Sequence, residues 1–396
     1  SLSSMRIWRI GKFNMESKKQ ALNVWFVGGE DINHRIPLVQ ELRRFGIDVS
    51  LVGTRRHQSI SDAKVQYYEY EMHRWLNPMR DIKSILLLEG LFKKYRPDVV
   101  HAFDTKPAIY AMIAARRSGI NVKVRTITGM GYLFSEDSLF CRLLRPVYRT
   151  LHRLVSGTVD VTVFQNKDDL DYFRKYHLLA KQRSVLVKGS GIDVESLRAA
   201  LSALESQDEV AQTGTHFVMV ARLVRQKGVL DYLMSARQIK ERYPQCEFTL
   251  VGPADEGKES VSIRTIEDYQ DCVTYLGARG DVPLLMEQHD FVVLPTYYRE
   301  GVPRVLLEAF ALGKPVITTK VPGCSDLVED GKNGFLVEAR NLIELESAMD
   351  RCVNMNEGEV SEMSFNALNT LDSGYLLSQV ADSYAEIYKT EAVVYD

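Results

Sequence analysis

Two glutamates stand eight residues apart in the stretch YYREGVPRVLLEAFALGKPVIT, which runs from Tyr297 to Thr318. Glu300 precedes a glycine and a proline, and Glu308 lies in the apolar run that follows them. An ionised carboxylate accepts hydrogen bonds from two adjacent hydroxyls, so such a pair is suited to hold two sugar diols. The spacing alone is weak evidence, because the chain has 52 acidic residues and either carboxylate could simply favour a helix dipole or face solvent.

Two cations stand in a comparable place earlier in the chain. Arg222 and Lys227, in VARLVRQKGVLDYL, follow a predicted strand and directly precede a predicted helix. A loop at that position lies at the carboxyl edge of a parallel sheet, where ligands bind in open α/β folds. Two cations there would meet a diphosphate. The four side chains together predict a site for a sugar attached to a diphosphate.

The loop that carries Glu300 adds a main-chain contribution. It joins the predicted strand FVVLP to the predicted helix PRVLLEAFALG, whose ends are marked by Pro303 near the first position and Gly313 after the last. The free N–H groups at the start of this helix favour an anion, and Gly301 lets a ligand approach the backbone closely.

Strands and helices alternate in two series, which predicts an α/β protein with two doubly wound parallel sheets. The first series opens with ALNVWFVGG and the second with HFVMVARL. A polar, turn-rich stretch, 189–214, separates them and predicts the domain joint. We therefore divide the chain into residues 1–190 and 191–374, with a last amphipathic helix over 375–396. A cleft between two such domains is the usual place for a cofactor-sized ligand.

Composition excludes several classes of protein. The chain has 396 residues, of which 45% are hydrophobic and 26% charged, as in ordinary two-domain α/β proteins. Its five cysteines are scattered and never form a C-x-x-C pair, which argues against a disulfide framework and a zinc site and favours a reducing compartment. The apolar stretch ILLLEGLF at 85–92 is too short to cross a bilayer. We expect no role in the fold for the polar lead-in at residues 1 to about 18.

The two halves of the chain carry opposite charge. Residues 1–200 hold 33 Lys and Arg against 20 Asp and Glu, whereas residues 201–396 hold 17 against 32. The basic half is suited to an anionic partner.

A basic amphipathic helix is predicted in this half over 138–157, SLFCRLLRPVYRTLHRLVSG. Four cations recur at helical spacing beside an apolar stripe: Arg142, Arg145, Arg149 and Arg153. Such a helix can lie on an anionic membrane surface, or it can pack on the core with a solvated basic face. Pro146 is able to break it.

The motifs now resemble a known family. ARLVRQKG, YREGVPRVLLEAFALGKPVI and VPGCSDLVEDGKNGFLV are similar, in this order, to motifs of retaining glycosyltransferases of family 4. In the first half, WFVGG, VHAFDTKPAIYAMIAARRSGI, TITGMGYLF and VFQNKDD resemble the branch that builds bacterial surface polysaccharides on polyprenyl-linked intermediates. The resemblance implies the GT-B fold, two Rossmann-like domains facing each other across a deep cleft, with the last helix crossing back to cover the first domain.

The resemblance also implies residue roles. Arg222 and Lys227 would hold the diphosphate of a nucleotide-sugar, favoured to be a UDP-hexose or UDP-N-acetylhexosamine, and Glu308 would hold the ribose hydroxyls. Glu300 and the backbone from Gly301 to Val305 would hold the donor sugar and phosphates. The remaining donor positions are Gly28, Gly29, Val302, Pro303, Arg304 and, near the base, Arg279.

One position departs from the family pattern. Many members carry a histidine before a glycine where this chain has Thr128 before Gly129, so the usual imidazole contact to the donor sugar is missing. His101, one strand earlier, could fill part of that pocket, or it could be an ordinary buried histidine at a strand end. The candidate catalytic residues are thus Glu300, Arg222, Lys227 and His101. The candidate acceptor and membrane residues are Lys106, Thr128, Gly129 and the four arginines.

The resemblance implies front-face attack, in which the leaving phosphate takes the acceptor proton and the two cations replace a metal ion. The sequence has no D-x-D motif in a loop and no histidine cluster with ligand spacing, so we expect no obligatory metal or other cofactor. The expected partners are a nucleotide-sugar, a lipid-linked saccharide and an anionic membrane surface on the cytoplasmic side, with no nucleic acid. We expect a monomer or weak dimer.

Three other functions compete with this interpretation. A sugar-nucleotide epimerase could share the fold and would consume its donor without an acceptor. A non-catalytic protein could bind an anionic ligand such as nucleic acid through the basic half, but no binding motif appears. A dinucleotide dehydrogenase lacks its fingerprint, because GMGYLF has only two of the glycines and no helix pattern beginning there.

Overall fold

The computed structural model describes residues 21–73, 77–181, 183–203, 214–255, 257 and 259–393. Three predictions fall partly or wholly elsewhere. The lead-in at 1–18, the centre of the joint at 204–213 and the last three residues of the final helix, 394–396, lie outside the described residues.

The first domain is built on seven strands. They are β1 (Leu22–Val27), β2 (Ile47–Gly53), β3 (Tyr67–Glu69), β4 (Val99–Phe103), β5 (Val122–Ile127), β6 (Val161–Phe164) and β7 (Arg183–Leu186). All pairs are parallel, in the order β3-β2-β1-β4-β5-β6-β7. The helices are α1 (Ile36–Arg43), α2 (Gln58–Asp62), α3 (Pro78–Tyr95), α4 (Pro107–Arg117), α5 (Tyr132–Ser135), α6 (Leu139–Ser156) and α7 (Lys167–Lys175).

The second domain repeats the architecture with six strands. They are β8 (His216–Val220), β9 (Glu247–Val251), β10 (Thr274–Tyr275), β11 (Phe291–Leu294), β12 (Val316–Thr319) and β13 (Gly334–Val337), all parallel, in the order β10-β9-β8-β11-β12-β13. The helices are α8 (Val194–Ser202), α9 (Val229–Arg242), α10 (Ile263–Glu267), α11 (Val282–Glu287), α12 (Arg304–Ala311), α13 (Cys324–Leu327), α14 (Leu342–Val353) and α15 (Glu357–Thr370). Two parallel doubly wound sheets confirm the predicted fold class.

The strand orders place the functional loops. In the first sheet the order in which strands are added reverses between the neighbouring strands β1 and β4. In the second sheet it reverses between β8 and β11. A crevice opens at the carboxyl ends of the strands on each side of such a switch point. The loops after β1 and β4 therefore face one crevice, and the loops after β8 and β11, which hold Lys227 and Glu300, face the other.

A last helix, α16 (Leu377–Val393), returns to the first domain. Its buried side chains, including Tyr384 and Tyr388, share a core with Phe26 of β1 and Val99 of β4. The crossing is fixed by Leu377, whose backbone N–H donates to the Ile192 carbonyl at 2.9 Å.

Two local expectations were wrong. Helix α6 runs without a break through Pro146. The proline removes one backbone hydrogen bond and crowds the Arg142 carbonyl, but buried residues on both sides of it, Cys141, Tyr148 and His152, hold the helix on the core. A one-turn helix, α5, does begin after the Gly-Met-Gly loop, whose Gly131 has φ of 66°. In the described part of the chain, every helix is too short or too polar to cross a bilayer.

Candidate active site

Lys227 and Glu300 meet where the loops after β8 and β11 approach each other. The Lys227 Nζ lies 2.5 Å from the Glu300 Oε1, and both side chains are mostly buried, 14% and 21% exposed. Lys227 ends a 3-10 turn, and the following Gly228 has φ of 78° and packs against the Pro295 carbonyl at the end of β11. A side chain at Gly228 would separate the two loops. The local backbone therefore brings together two residues that the sequence analysis placed in one candidate site, Lys227 for the diphosphate and Glu300 for the donor sugar.

The other charged donor residues also have counterions. The Arg222 guanidinium lies 2.8 Å from Asp255, and the Arg304 Nε lies 2.8 Å from Glu308. Arg279 forms a two-pronged pair with Asp281 in the loop after β10. The cations of these three pairs are far more exposed than Lys227, so each pair contributes little to stability. A charged ligand can replace them at small cost.

The remaining residues predicted to contact the nucleotide-sugar lie in the core, at a helix start or in a loop. Val302 is buried in the core of the second domain, Pro303 is the cap residue of α12 and Val305 is half-buried against that core. Gly28 and Gly29 follow β1 in the first domain, where Gly28 is buried and its carbonyl accepts a hydrogen bond from the Tyr70 hydroxyl at 3.0 Å.

The first domain holds the Glu300 loop by its main chain. The Gly301 N–H donates to the Thr128 carbonyl at 2.7 Å, and the Gly131 N–H donates to the Arg299 carbonyl at 2.8 Å. Gly129 lies between these contacts with φ of 114°, and a Cβ there would lie 2.5 Å from the Glu300 Cα. Thr128 and Gly129 therefore touch the loop that carries Glu300, a candidate catalytic residue. Because the Gly301 N–H is engaged, it reaches a donor phosphate only if this contact opens.

Arg299 is a functional candidate that the sequence reasoning missed. Its guanidinium lies 3.1 Å from the Asp169 carboxylate in α7, and it packs over the rings of Phe134 and Tyr172. Burial raises the pKa of Asp169 to about 6, an effect that the charge of Arg299 opposes. The first domain thus fixes the residue directly before Glu300. The available signal was VFQNKDD, in which a carboxylate follows a buried strand.

A second polar bridge joins the domains, and it was also missed. Glu136 accepts hydrogen bonds from Gln226 at 3.1 Å and from Arg340 at 3.2 Å, and Arg340 stacks over the Tyr297 ring at 3.9 Å. Gln226 directly precedes Lys227, so this bridge helps to position Lys227. The contact of Arg299 with Asp169 helps to position Glu300 in the same way.

His101 lies in the core of the first domain. The structure gives it no exposed surface, and its two ring nitrogens lie 2.5 Å from the Tyr388 hydroxyl and 2.7 Å from the Thr126 hydroxyl. Burial lowers its pKa well below the usual 6.5. These contacts tie α16 to the sheet. The catalytic role stays a prediction, and no atom of this side chain reaches the crevice surface.

The candidate acceptor cations are bonded within the first domain. Lys106 lies at the start of α4, 3.0 Å from the Asp81 carboxylate of α3. The arginines of α6 bond to the preceding loop and to the segment around α7: Arg142 to Asp137, Arg145 to the carbonyls of Leu133 and Glu136, Arg149 to Tyr172, and Arg153 to the carbonyls of Tyr176 and His177. Apolar residues also lie on the exposed side of α6, where Leu139, Leu143 and Leu154 are more than half exposed beside the exposed Arg142 and Arg153.

Comparisons with known proteins agree on one family. The description "Glycosyl transferase 4-like domain" matches residues 37–188, and "Glycosyl transferases group 1" matches residues 214–355. An uncharacterized glycosyltransferase of Haemophilus influenzae is 32% identical over 85% of this chain and 90% of its own length. The UDP-Gal:alpha-D-GlcNAc-diphosphoundecaprenol alpha-1,3-galactosyltransferase of Escherichia coli is 26% identical over 83% of this chain and 84% of its own length.

A solved structure extends the comparison to the fold. Anabaena HepE in complex with UDP superimposes with a TM-score of 0.74 at 17% identity, covering 93% of this chain and 100% of the other. At that identity the likeness concerns the arrangement of the two domains alone.

Proposed function

Because the chain belongs to glycosyltransferase family 4 and has the GT-B fold, we propose that it moves a sugar, with retained anomeric configuration, from a nucleotide-sugar to a polyprenyl-diphosphate-linked saccharide. The observation that carries the proposal is the Lys227–Glu300 pair, 2.5 Å apart, on a loop that the other domain clamps. The name of the Escherichia coli relative supports a UDP-sugar as donor and a diphosphoundecaprenol-linked acceptor.

Donor binding exchanges ion pairs. The diphosphate takes Lys227 from Glu300 and Arg222 from Asp255, since its negative charges and several acceptor oxygens can serve both cations at once. Glu300 is then released to accept hydrogen bonds from the sugar hydroxyls. Glu308, whose Arg304 partner is exposed, is released in the same way for the ribose diol.

The transfer step depends mainly on Lys227 and Arg222. The bond from the anomeric carbon to the diphosphate oxygen breaks, and the acceptor oxygen bonds to that carbon on the same face. The acceptor proton passes to the leaving phosphate oxygen, and Lys227 and Arg222 stabilise the charge that develops there. The proposal includes no obligatory metal ion.

The acceptor suggests a place of action. We propose that the product enters capsule, O-antigen or exopolysaccharide synthesis, and that the protein works as a monomer or weak dimer at the inner face of the cell membrane. The donor sugar is proposed to be a hexose or N-acetylhexosamine.

One experiment tests the whole proposal. Thermal shifts with UDP-, GDP- and ADP-sugars identify the donor, which is then incubated with a synthetic polyprenyl-diphosphate-linked N-acetylglucosamine. NMR of the product is expected to show a new glycosidic bond with the anomeric configuration of the donor. Donor consumption without acceptor would favour an epimerase, and failure of every nucleotide-sugar to shift the transition would favour a non-catalytic protein.

A further inference from the structure

One arginine of the first domain is half-buried without a hydrogen-bond partner. In the described part of the chain, six arginines are buried or half-buried. Five of them donate side-chain hydrogen bonds: Arg125, Arg145, Arg149, Arg237 and Arg299. Arg35 is the sixth, and among the described residues its guanidinium finds neither a hydrogen-bond acceptor nor an ion-pair partner.

Arg35 lies at the switch point of the first sheet, where the two domains meet. It ends the 3-10 turn Glu30–Arg35 that follows β1, and it directly precedes α1. Its guanidinium carbon lies 3.6 Å from the centroid of the Phe103 ring, at the end of β4. The carbonyl of the preceding residue, His34, accepts a hydrogen bond from Arg304 of the second domain at 3.4 Å. The cation is therefore placed between the loops that border the crevice.

The ring of Phe103 does not replace the missing acceptors. Burial lowers the pKa of Arg35 below its usual value, because the charged form loses hydration. The ring face attracts the cation, but it cannot accept the several N–H bonds that a guanidinium donates. A half-buried cation without acceptors costs stability, so the arrangement favours a ligand that supplies negative oxygens.

A carboxylate beside Arg35 narrows the chemistry of that ligand. Asp104 follows Phe103, and its charge opposes the fall in the pKa of Arg35. Its Oδ1 accepts a hydrogen bond from the Thr128 hydroxyl at 2.8 Å, and its φ of 70° is uncommon for a non-glycine residue. This carboxylate would repel a bare anion. A phosphorylated sugar, in contrast, offers hydroxyls to Asp104 and a phosphate to Arg35.

The acceptor is the phosphorylated sugar that suits this place. The donor diphosphate already has Lys227 and Arg222 as candidate partners in the second domain. In the first domain, Lys106 and the arginines of α6 are bonded to a carboxylate, to carbonyls or to a tyrosine. Thr128 binds Asp104 through its hydroxyl and the Gly301 N–H through its carbonyl. A sugar held by Asp104 would therefore lie close to the loop of Glu300.

We propose that Arg35 binds a phosphate of the acceptor diphosphate while Asp104 orients the hydroxyls of the attached sugar. The inference rests on the proposed function and deepens it, since it assigns an acceptor subsite in the same crevice. Arginine suits this role because its planar fork can bond two phosphate oxygens at once. A neutral form of the same saccharide should therefore be a poor acceptor.

Two acceptors that differ in charge test the assignment. One is N-acetylglucosamine linked through a diphosphate to a short prenyl chain, and the other is the same sugar as a neutral alkyl glycoside. Wild-type kcat/KM is expected to be higher for the diphosphate acceptor by about thirtyfold or more, as for other buried charge-assisted contacts. Arg35→Gln should remove most of that preference, leave transfer to the neutral acceptor within about threefold and leave the donor Kd unchanged.

Three further variants sharpen the test. Arg35→Lys keeps the charge but loses the fork, so its preference should be intermediate. Asp104→Asn should lower kcat/KM for both acceptors, because it faces the sugar rather than the phosphate. Arg44→Gln is the matched control: Arg44 follows the other end of α1, is 75% exposed and pairs with Glu41 at 2.7 Å, so this variant should behave as wild type with both acceptors. Circular dichroism and donor calorimetry check that each variant is folded.

Three results would overturn the proposal. They are equal use of both acceptors by the wild type, an equal loss with both acceptors in Arg35→Gln, and a raised donor Kd in Arg35→Gln with the acceptor preference intact. The last result would place the donor diphosphate on Arg35 instead. Absence of transfer by the wild type to either acceptor refutes the proposed function and this assignment with it, whereas transfer without a preference refutes the assignment alone.

Discussion

The crevice of the second domain and the outer helices of the first domain use charge in opposite ways. In the crevice, the cations and carboxylates are paired with each other on loops, where a ligand can exchange them. On the outer helices, the cations are bonded to Asp137, to carbonyls and to tyrosines of their own domain, and apolar side chains remain exposed. The crevice is suited to bind a charged donor reversibly. The outer helices are suited to an apolar contact that needs no specific charged partner.

The strongest test of the crevice is to remove its central pair. Lys227→Ala and Glu300→Gln are each expected to lower turnover by about a thousandfold. In the proposed mechanism the first removes a cation beside the leaving phosphate, and the second removes an ionised acceptor for the sugar hydroxyls. The measurement is steady-state transfer with the donor at saturation.

The matched control is Lys320→Ala. Lys320 forms a comparable pair with Glu338, 2.9 Å apart, but on the exposed outside of the same domain. It is expected to keep wild-type turnover. Near-normal turnover in either crevice variant, with an intact fold, would show that the Lys227–Glu300 pair has no role in the mechanism. The pair would then matter no more for turnover than the Lys320–Glu338 pair on the outside of the domain.

A smaller effect is expected where the first domain touches the crevice. Gly129→Ala places a Cβ 2.5 Å from the Glu300 Cα and forces a side chain into a backbone conformation with φ of 114°. Turnover is expected to fall roughly tenfold to a hundredfold, because misplacement of a catalytic group by about 1 Å costs that much. Donor affinity, measured by calorimetry, should change less than turnover, since the charged contacts proposed for the donor lie in the second domain.

Gly90→Ala is the control for this substitution. Gly90 lies in α3 with nothing within 4 Å of an added Cβ, so the change should leave turnover unaltered. If Gly129→Ala reduced donor affinity and turnover equally, the contact would belong to donor binding and the division of labour between the domains would be wrong.

Much of the second domain was readable from the sequence because its chemistry is local. Lys227 stands one residue after Gln226 and one before the glycine that fixes its loop, and Glu300 follows a strand whose apolar run is continuous. A strand that is buried on both faces of a parallel sheet has a continuous apolar sequence, whichever strands lie beside it. The fold class followed from the same alternation of apolar runs and amphipathic segments.

The first domain was harder because its contacts are distant in sequence. Four arginines at helical spacing predicted a free basic stripe, but Tyr172 and Tyr176, which bind Arg149, lie more than twenty residues away. The stretch ILLLEGLF showed only that α3 was apolar, and the side on which Leu86 stays exposed depends on how α3 meets α4. Asp169 and Arg299 are 130 residues apart, so no local pattern connects them.

The smallest effect on turnover is expected from His101→Phe. The substitution keeps the ring volume in the core but leaves the hydroxyls of Tyr388 and Thr126 without their imidazole partner, at a cost of about 2 kcal/mol in the free energy of unfolding. Turnover should stay within twofold, because the side chain has no exposed surface. Denaturant titration and steady-state transfer measure the two quantities.

The pH dependence of the His101→Phe variant identifies the same role independently. Burial holds the pKa of His101 well below 6.5 in the folded protein, so below that pH the unfolded chain binds a proton that the folded protein does not. Wild-type stability is then lost on acidification, by up to about 1.4 kcal/mol per pH unit from this group, whereas the variant lacks this loss. The gap between the two proteins should therefore close near pH 5. A large drop in turnover with unchanged stability would instead place His101 in the reaction, and the contrast between a structural core and a catalytic crevice would fail at that residue.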